Sequence, residues 1–310
     1  MKKTKIILDC DPGVDDAIAL IIACKHPSIE LLGITTVCGN VWLDKTTQNA
    51  INVVKWLGVD YPVYAGCDRP LLIDKRAEAV DLNGESGIKG MKFPKYSKQP
   101  ESKHAVNYII DTLMASDGDI TVVTTGPMTN LAMALRMEPK ITDKIKSILL
   151  MGGAIGRGNV TPSAEFNLIY DAEAANICFR SGRPIRMVGL DVTERALCYP
   201  ETVEHFAKYN NPASELFCNV CKYYMKVQYE VYQLNGGPLH DPLAVATLVN
   251  PDVVTFKPAY TTVEVRSDES YGRTNCDLYL HDNKKPNSEV ATDLDRDLFF
   301  KVLEDCVSLY

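Results

Sequence analysis

The chain has 310 residues, 46% of them hydrophobic, enough to bury one large core. A net charge of −7, with no extended basic run, excludes nucleic acid as a partner, because phosphate binding calls for a basic surface. No apolar stretch approaches the roughly 18 residues of a membrane span, and Ile6–Leu8 is too short for the apolar region of a signal peptide. The ten cysteines are scattered, and the one CxxC pair, Cys218 and Cys221, reads as helix packing, since a structural zinc site wants four ligands. A soluble, reducing, cytoplasmic setting is expected, without membrane contact.

Short apolar runs rich in β-branched residues alternate with helical patterns. In chain order the expected elements are a strand at Lys5–Asp9, a helix at Asp15–Lys25, a strand at Leu31–Val37 and a helix at Thr46–Trp56. A helix at Ala105–Ala115 then precedes a strand at Asp119–Thr125, and a helix at Thr129–Arg136 precedes a strand at Ser147–Met151. A helix at Ala172–Ser181 and a strand at Ile185–Leu190 complete the series. Residues 83–103, rich in Gly, Lys, Pro and Ser, read as a mobile surface loop. The alternation implies an α/β fold, a single domain over 1–310, with a largely parallel central sheet covered by helices on both faces. Ligands bind such sheets at the carboxyl ends of the strands. Those ends carry Asp9-Cys10-Asp11-Pro12-Gly13, Gly39-Asn40, Thr125-Gly126-Pro127 and Met151-Gly152-Gly153.

Asp9, Asp11, Asp15 and Asp16 place four carboxylates within eight residues, and no Lys or Arg occurs between Ile6 and Cys24. Like charges this close repel, and a helix N-terminus can stabilise only one or two of them. An oxygen-ligated divalent cation answers the repulsion, and flexible carboxylate geometry suits calcium better than magnesium. Helix capping and a solvated turn is the plainer alternative. A second group, His240-Asp241-Pro242, opens an apolar helix, where an Asp is by default a cap. The third, Asn159 to Asn167, sets polar side chains around Phe166, a composition suited to a polyhydroxylated ring.

Taken in order, these segments resemble the inosine–uridine nucleoside hydrolase family. The resemblance runs nearly the whole length, through the Asp9–Asp16 opening, Gly39-Asn40, Thr125 to Asn130, Met151-Gly152-Gly153, Asn159 to Asn167, and His240-Asp241-Pro242. It implies that Asp11, Asp16, the backbone carbonyl of Thr125 and Asp241 hold a calcium ion. That ion would also bind the ribose 2′- and 3′-hydroxyls and the attacking water. Asp15, Asn40, Asn159, Glu165 and Asn167 would contact the sugar, with Met151 close beneath it and Phe166 beside it. Asp11 is then the general base, and the transition state resembles a ribosyl oxocarbenium ion, with inversion at the anomeric carbon. His240 is the expected acid for the departing base, because imidazole titrates near neutrality.

Gln228 and Tyr232, four residues apart and so on one helix face, are similar to residues of pyrimidine-preferring members that contact the base. Asn83 departs from the pattern, standing where relatives commonly carry His. The expected substrate is a ribonucleoside, uridine or cytidine ahead of purines, in a homotetramer or homodimer serving nucleoside salvage. Two rivals are weaker. A phosphotransferase of the haloacid-dehalogenase type also opens on Asp-x-Asp, but Pro12 is foreign to it. A nucleoside-binding module without turnover would need a damaged catalytic set, whereas Asp11, Asp16, Asn167, His240 and Asp241 are all present.

Overall fold

Ile6, Ile7 and Leu8 are all fully buried, which requires protein on both faces of the strand that carries them. Ile6 and Leu8 pack into one hydrophobic cluster and Ile7 into another, as a side-chain period of two dictates. The computed structural model describes residues 3–74, 78–281 and 283–310. Its first half runs β1 (Thr4–Cys10), α1 (Val14–Lys25), β2 (Ile29–Thr36), α2 (Leu43–Trp56) and β3 (Val63–Ala65). Then come α3 (Val80–Asn83), α4 (Ala105–Met114), β4 (Ile120–Thr124), α5 (Thr129–Met137), β5 (Ile145–Met151), α6 (Phe166–Tyr170), α7 (Ala172–Phe179) and β6 (Ile185–Val188). The chain continues through α8 (Leu190–Thr193), β7 (Leu197–Cys198), α9 (Pro200–Ala207), α10 (Pro212–Tyr232), β8 (Gly237–Pro238) and α11 (His240–Val249). It closes with β9 (Val254–Val263), β10 (Thr274–Asp277), β11 (Ser288–Leu294) and α12 (Arg296–Val307).

Among the described residues the main sheet has nine strands in the order β10-β9-β11-β6-β5-β4-β1-β2-β3. The seven from β11 to β3 are parallel, while β9 and β10 are antiparallel to their neighbours. The expected parallel α/β architecture is therefore present, and all ten sequence-predicted elements occur within a few residues of their expected ends. From β1 the chain moves outward to β2 and β3, then returns to lay β4 on the other side of β1. That reversal opens a crevice beyond the carboxyl ends of β1 and β4, the place where ligands bind such sheets.

One face of the sheet is covered by α1, α2, α10, α11 and α12, the other by α4, α5 and α7. α1 is apolar nearly all round, with every residue from Val14 to Cys24 buried, as expected of a helix enclosed by neighbours rather than lying on the surface. Each fully buried Ile or Leu contributes roughly 1.5–3 kcal/mol relative to an exposed one. The α1 core is thus a rigid mount for the acidic turn that precedes it. Cys218 and Cys221 are both buried in the same core, the first donating its thiol to the Val203 carbonyl.

The stretch after α3 corrects one expectation. It is irregular, but its beginning is not at the surface. Asn83, Gly84, Gly87 and Ile88 are buried, and Ile88 joins the core under α2 and α10. The reason is polar: Asn49 Nδ2 donates to the carbonyls of Pro12 and Ser86, and so draws this segment onto the acidic turn.

Candidate active site

The turn between β1 and α1 is shaped by its own carboxylates. Asp16 Oδ2 accepts from the Gly13 amide at 3.0 Å, closing the N-terminus of α1, and Oδ1 accepts from Thr125 Oγ1 at 2.8 Å across the crevice. Asp11 Oδ2 accepts from the Asn40 amide at 2.6 Å. Asn40 also donates its Nδ2 to the Asp11 carbonyl and to Asp16 Oδ2. Asp15 Oδ2 faces the Asp241 amide, 3.4 Å away at the start of α11. The ends of β1, β2 and β4 and the start of α11 therefore converge on one acidic spot.

Asp9 stands apart from it. Its Oδ1 accepts from Thr35 Oγ1 at 2.6 Å and Asn130 Nδ2 at 2.8 Å, and burial pushes its pKa up to about 7. Asn130 also donates to the Thr36 carbonyl and accepts from the Cys67 amide, so this pair ties together the ends of β1, β2 and β3. Of the four acids in the opening motif, Asp9 is thus a tie beneath the site, and Asp241 joins the other three instead.

Burial raises the pKa of Asp11, Asp15, Asp16 and Asp241, with Asp16 at about 7; neighbouring carboxylates add to the rise at Asp11, Asp16 and Asp241, whereas hydrogen bonds from the start of α11 oppose it at Asp15. No Lys or Arg stands among the leading influences on any of them. Oxygens of Asp15, Asp16 and Asp241 all lie within 4.8 Å of one another. Among the described residues Asp11 Oδ1, which is buried, has no hydrogen-bond partner. It rests in a cradle that only glycine permits: a Cβ at Gly126 would stand 2.5 Å from Oδ1, and one at Gly39 would overlap Oδ2. Such a donor set, all oxygen and all anionic, fits a divalent cation. The closest carboxylate trio contains Asp15, where the sequence reading put Asp11.

Above this floor lies a cavity of about 620 Å³, its open mouth included. Asp15, Asn40, Thr125, Met151, Asn159, Glu165, Phe166, Asn167, Tyr232, His240 and Asp241 all line it, together with Ala79, Leu82, Asn83, Val160 and Tyr224. Asn167 Nδ2 donates to the Thr125 carbonyl at 2.7 Å and to the Met151 carbonyl at 3.2 Å, bridging the ends of β4 and β5. Its Oδ1 is the remaining acceptor. Glu165 is the N-cap of α6, taking the amides of Gly153, Asn167 and Leu168. Burial lifts it to about 7 against those three hydrogen bonds. Asn159 Oδ1 accepts from the Phe166 amide, which leaves its Nδ2 for a ligand.

Three expectations change at the outer end of the cavity. Gln228 is buried on α10 and is not among the lining residues; its amide lies beside Tyr224, which lines the cavity in its place. Asn83 lines the cavity, but Oδ1 accepts from the Val14 amide and Nδ2 donates to Asn40 Oδ1 and the Ala79 carbonyl. Its amide braces the acidic turn, whereas a sequence contains nothing to show which way an Asn amide is held. His240 bonds Thr193 Oγ1 through Nδ1 at 2.8 Å. Burial pushes its pKa down to about 4, which favours the neutral imidazole. Tyr232, the last residue of α10, is half-exposed at the mouth.

Fold and site together define a class: a doubly wound α/β enzyme whose cavity, at the reversal point of a parallel sheet, ends on carboxylates fit for a divalent cation. The family model for the inosine-uridine preferring nucleoside hydrolases matches residues 6–301. Pyrimidine-specific ribonucleoside hydrolase RihB of Escherichia coli O9:H4 (strain HS) is 49% identical over 310 residues, covering 100% of this chain and 99% of the relative. The protein of the same name from Shigella flexneri serotype 5b (strain 8401) matches to the same extent. Among solved structures, a purine-preferring ribonucleoside hydrolase from Gardnerella vaginalis superposes with a TM-score of 0.93 at 35% identity, covering 98% of each chain. A plant nucleoside hydrolase superposes at 0.92 with 29% identity over 99% of each. The chain belongs to the inosine-uridine preferring nucleoside hydrolase family, and it is a glycosidase that hydrolyses the N-glycosyl bond of ribonucleosides.

Proposed function

We propose that the enzyme is calcium-dependent and that it cleaves uridine and cytidine in preference to inosine and adenosine. The observation that carries the metal reading is the buried Oδ1 of Asp11, without a partner among the described residues, beside Asp15, Asp16 and Asp241, a floor of carboxylate oxygen with no Lys or Arg among the leading influences on it. Asp11, Asp16, Asp241 and the Thr125 carbonyl would hold the ion, with Asp15 at its edge. Hard oxygen ligands in an irregular arrangement suit calcium. When bound, the ion would supply Lewis acidity and an anchor for a vicinal diol.

The chain's own groups divide the work. Asp11 takes the proton of the attacking water through Oδ1. Asp15, Asn40, Asn159 and Asn167 grip the sugar hydroxyls, with Met151 beneath the ring and Glu165 and Phe166 forming its wall. The floor carboxylates also favour the positive charge that develops on the ribosyl group, an interaction stronger in the transition state than in the ground state. His240 and Tyr232 face the departing base, and Gln228 acts behind Tyr224.

Pyrimidine preference is supported by the relatives named as pyrimidine-specific at 49% identity. A purine-preferring relative shares the backbone fold, so the choice of base is expected to rest on side chains over the cavity mouth rather than on the backbone. We also propose a cytoplasmic homo-oligomer, tetramer or dimer, acting in nucleoside salvage. Among the described residues no helix is long and apolar enough to cross a membrane. The test is a panel of uridine, cytidine, inosine and adenosine ranked by kcat/KM. The two pyrimidines are expected to lead; inosine ahead of uridine would overturn the preference and leave the glycosidase assignment standing.

A further inference from the structure

Thr193, the last residue of α8, is wholly buried, and its hydroxyl meets His240 Nδ1 at 2.8 Å. Among the described residues Oγ1 has no other hydrogen-bond partner. The two residues are held in register by the chain around them. β7 pairs with β8, Leu197 opposite Pro238, and the Leu239 amide donates to the Ala196 carbonyl at 3.0 Å. The Thr193 amide is fixed in turn on the Gly189 carbonyl at 3.1 Å. Neither side chain is free to drift, so the contact is built into the fold.

A hydroxyl carries one proton and two lone pairs, and a neutral imidazole has one protonated and one bare nitrogen. If Nδ1 carried the proton and donated to Oγ1, the Thr193 proton would be left in a dry interior with no acceptor. An unmet buried donor weights an equilibrium by roughly tenfold or more. With the roles reversed, Thr193 donates, Nδ1 accepts, and the proton of the ring sits on Nε2. We propose that Thr193 is a positioning residue that fixes His240 in the Nε2–H tautomer, so that the imidazole presents a hydrogen-bond donor to the departing base. The base is then stabilised as negative charge grows on it, by a donor that needs no second proton to be in place. This rests on the reading that His240 addresses the leaving group.

Three measurements test it on the full-length enzyme. Two-bond ¹⁵N–¹H correlation spectra, with His240 assigned by its absence in His240→Gln, are expected to show Nε2 protonated and Nδ1 bare in the wild type. Thr193→Val, which keeps the shape and removes the hydroxyl, is expected to shift that signature toward a mixture, and Thr193→Ser to restore it. In kinetics, Thr193→Val is expected to lower kcat on uridine about tenfold or more with little change in KM. It should leave p-nitrophenyl β-ribofuranoside unaffected, because that leaving group needs no donor. A wild-type spectrum with the proton on Nδ1 overturns the inference, and needs no variant to fold. So does wild-type behaviour of Thr193→Val on uridine where His240→Gln is impaired on uridine alone. Should His240→Gln instead affect both substrates alike, the assignment of His240 to the leaving group fails, and the inference fails with it.

Discussion

Gly126 follows the Thr125 carbonyl at the end of β4, and an added Cβ there would lie 2.5 Å from Asp11 Oδ1. Ordinary contact begins at 3.4 Å, so the carboxylate or the strand end must yield by about 0.9 Å. Asp11 cannot swing away freely, because its other oxygen is held by the Asn40 amide at 2.6 Å. The backbone at Gly126 is not in the left-handed region, so alanine suits the local conformation and the damage should be confined to the carboxylate. A displacement of about 1 Å in a catalytic group costs on the order of 100-fold in rate, corresponding to about 2.7 kcal/mol of transition-state stabilisation. Gly126→Ala is therefore expected to lower kcat on uridine about 100-fold and to weaken calcium binding measured by titration calorimetry. The thermal unfolding temperature should fall only modestly, because overpacking a buried site costs about 1–3 kcal/mol. Wild-type kcat together with wild-type calcium affinity would refute the placement of Asp11 Oδ1 at the reacting centre.

Other outcomes follow from the same geometry. Asp11→Asn removes the proton acceptor with little change of shape, and is expected to lose more than about 100-fold in kcat; retention of a tenth of wild-type kcat would show that Asp11 is not the base. Deoxyuridine leaves the floor carboxylates and their ion without a hydroxyl that the site is built to bind, so its kcat/KM should fall about 10⁴-fold below that of uridine. Comparable values for the two would contradict the sugar site.

The parallel half of the fold is legible because strands buried on both faces are near-continuous apolar runs, as at Ile6–Leu8 and Ile148–Met151. The antiparallel edge is not. β9, β10 and β11 carry Thr, Asn, Glu and Asp and bury only part of their length, and Pro258 interrupts the first of them. Without a strong period they resemble loops, and β3 is too short to stand out.

At the site, spacing and charge mark which carboxylates gather but not how each is occupied. Asp9 and Asp241 exchange places relative to the local motif, because the tertiary fold brings α11 to the acidic turn and leaves Asp9 to Thr35 and Asn130. Glu165 is a polar residue before a short helix, and its cap becomes visible only with the amides it accepts. Gln228 and Tyr224 share the same helix face four residues apart, and periodicity alone does not say which of them reaches the cavity.

The most direct test of the central claim is the release of free uracil and ribose from uridine by metal-stripped enzyme, before and after calcium is restored. The account predicts no product from protein shown by elemental analysis to contain no divalent ion. On addition of calcium it predicts uracil and ribose in equal amounts. Full activity in the stripped protein, or uracil released without ribose, would contradict it.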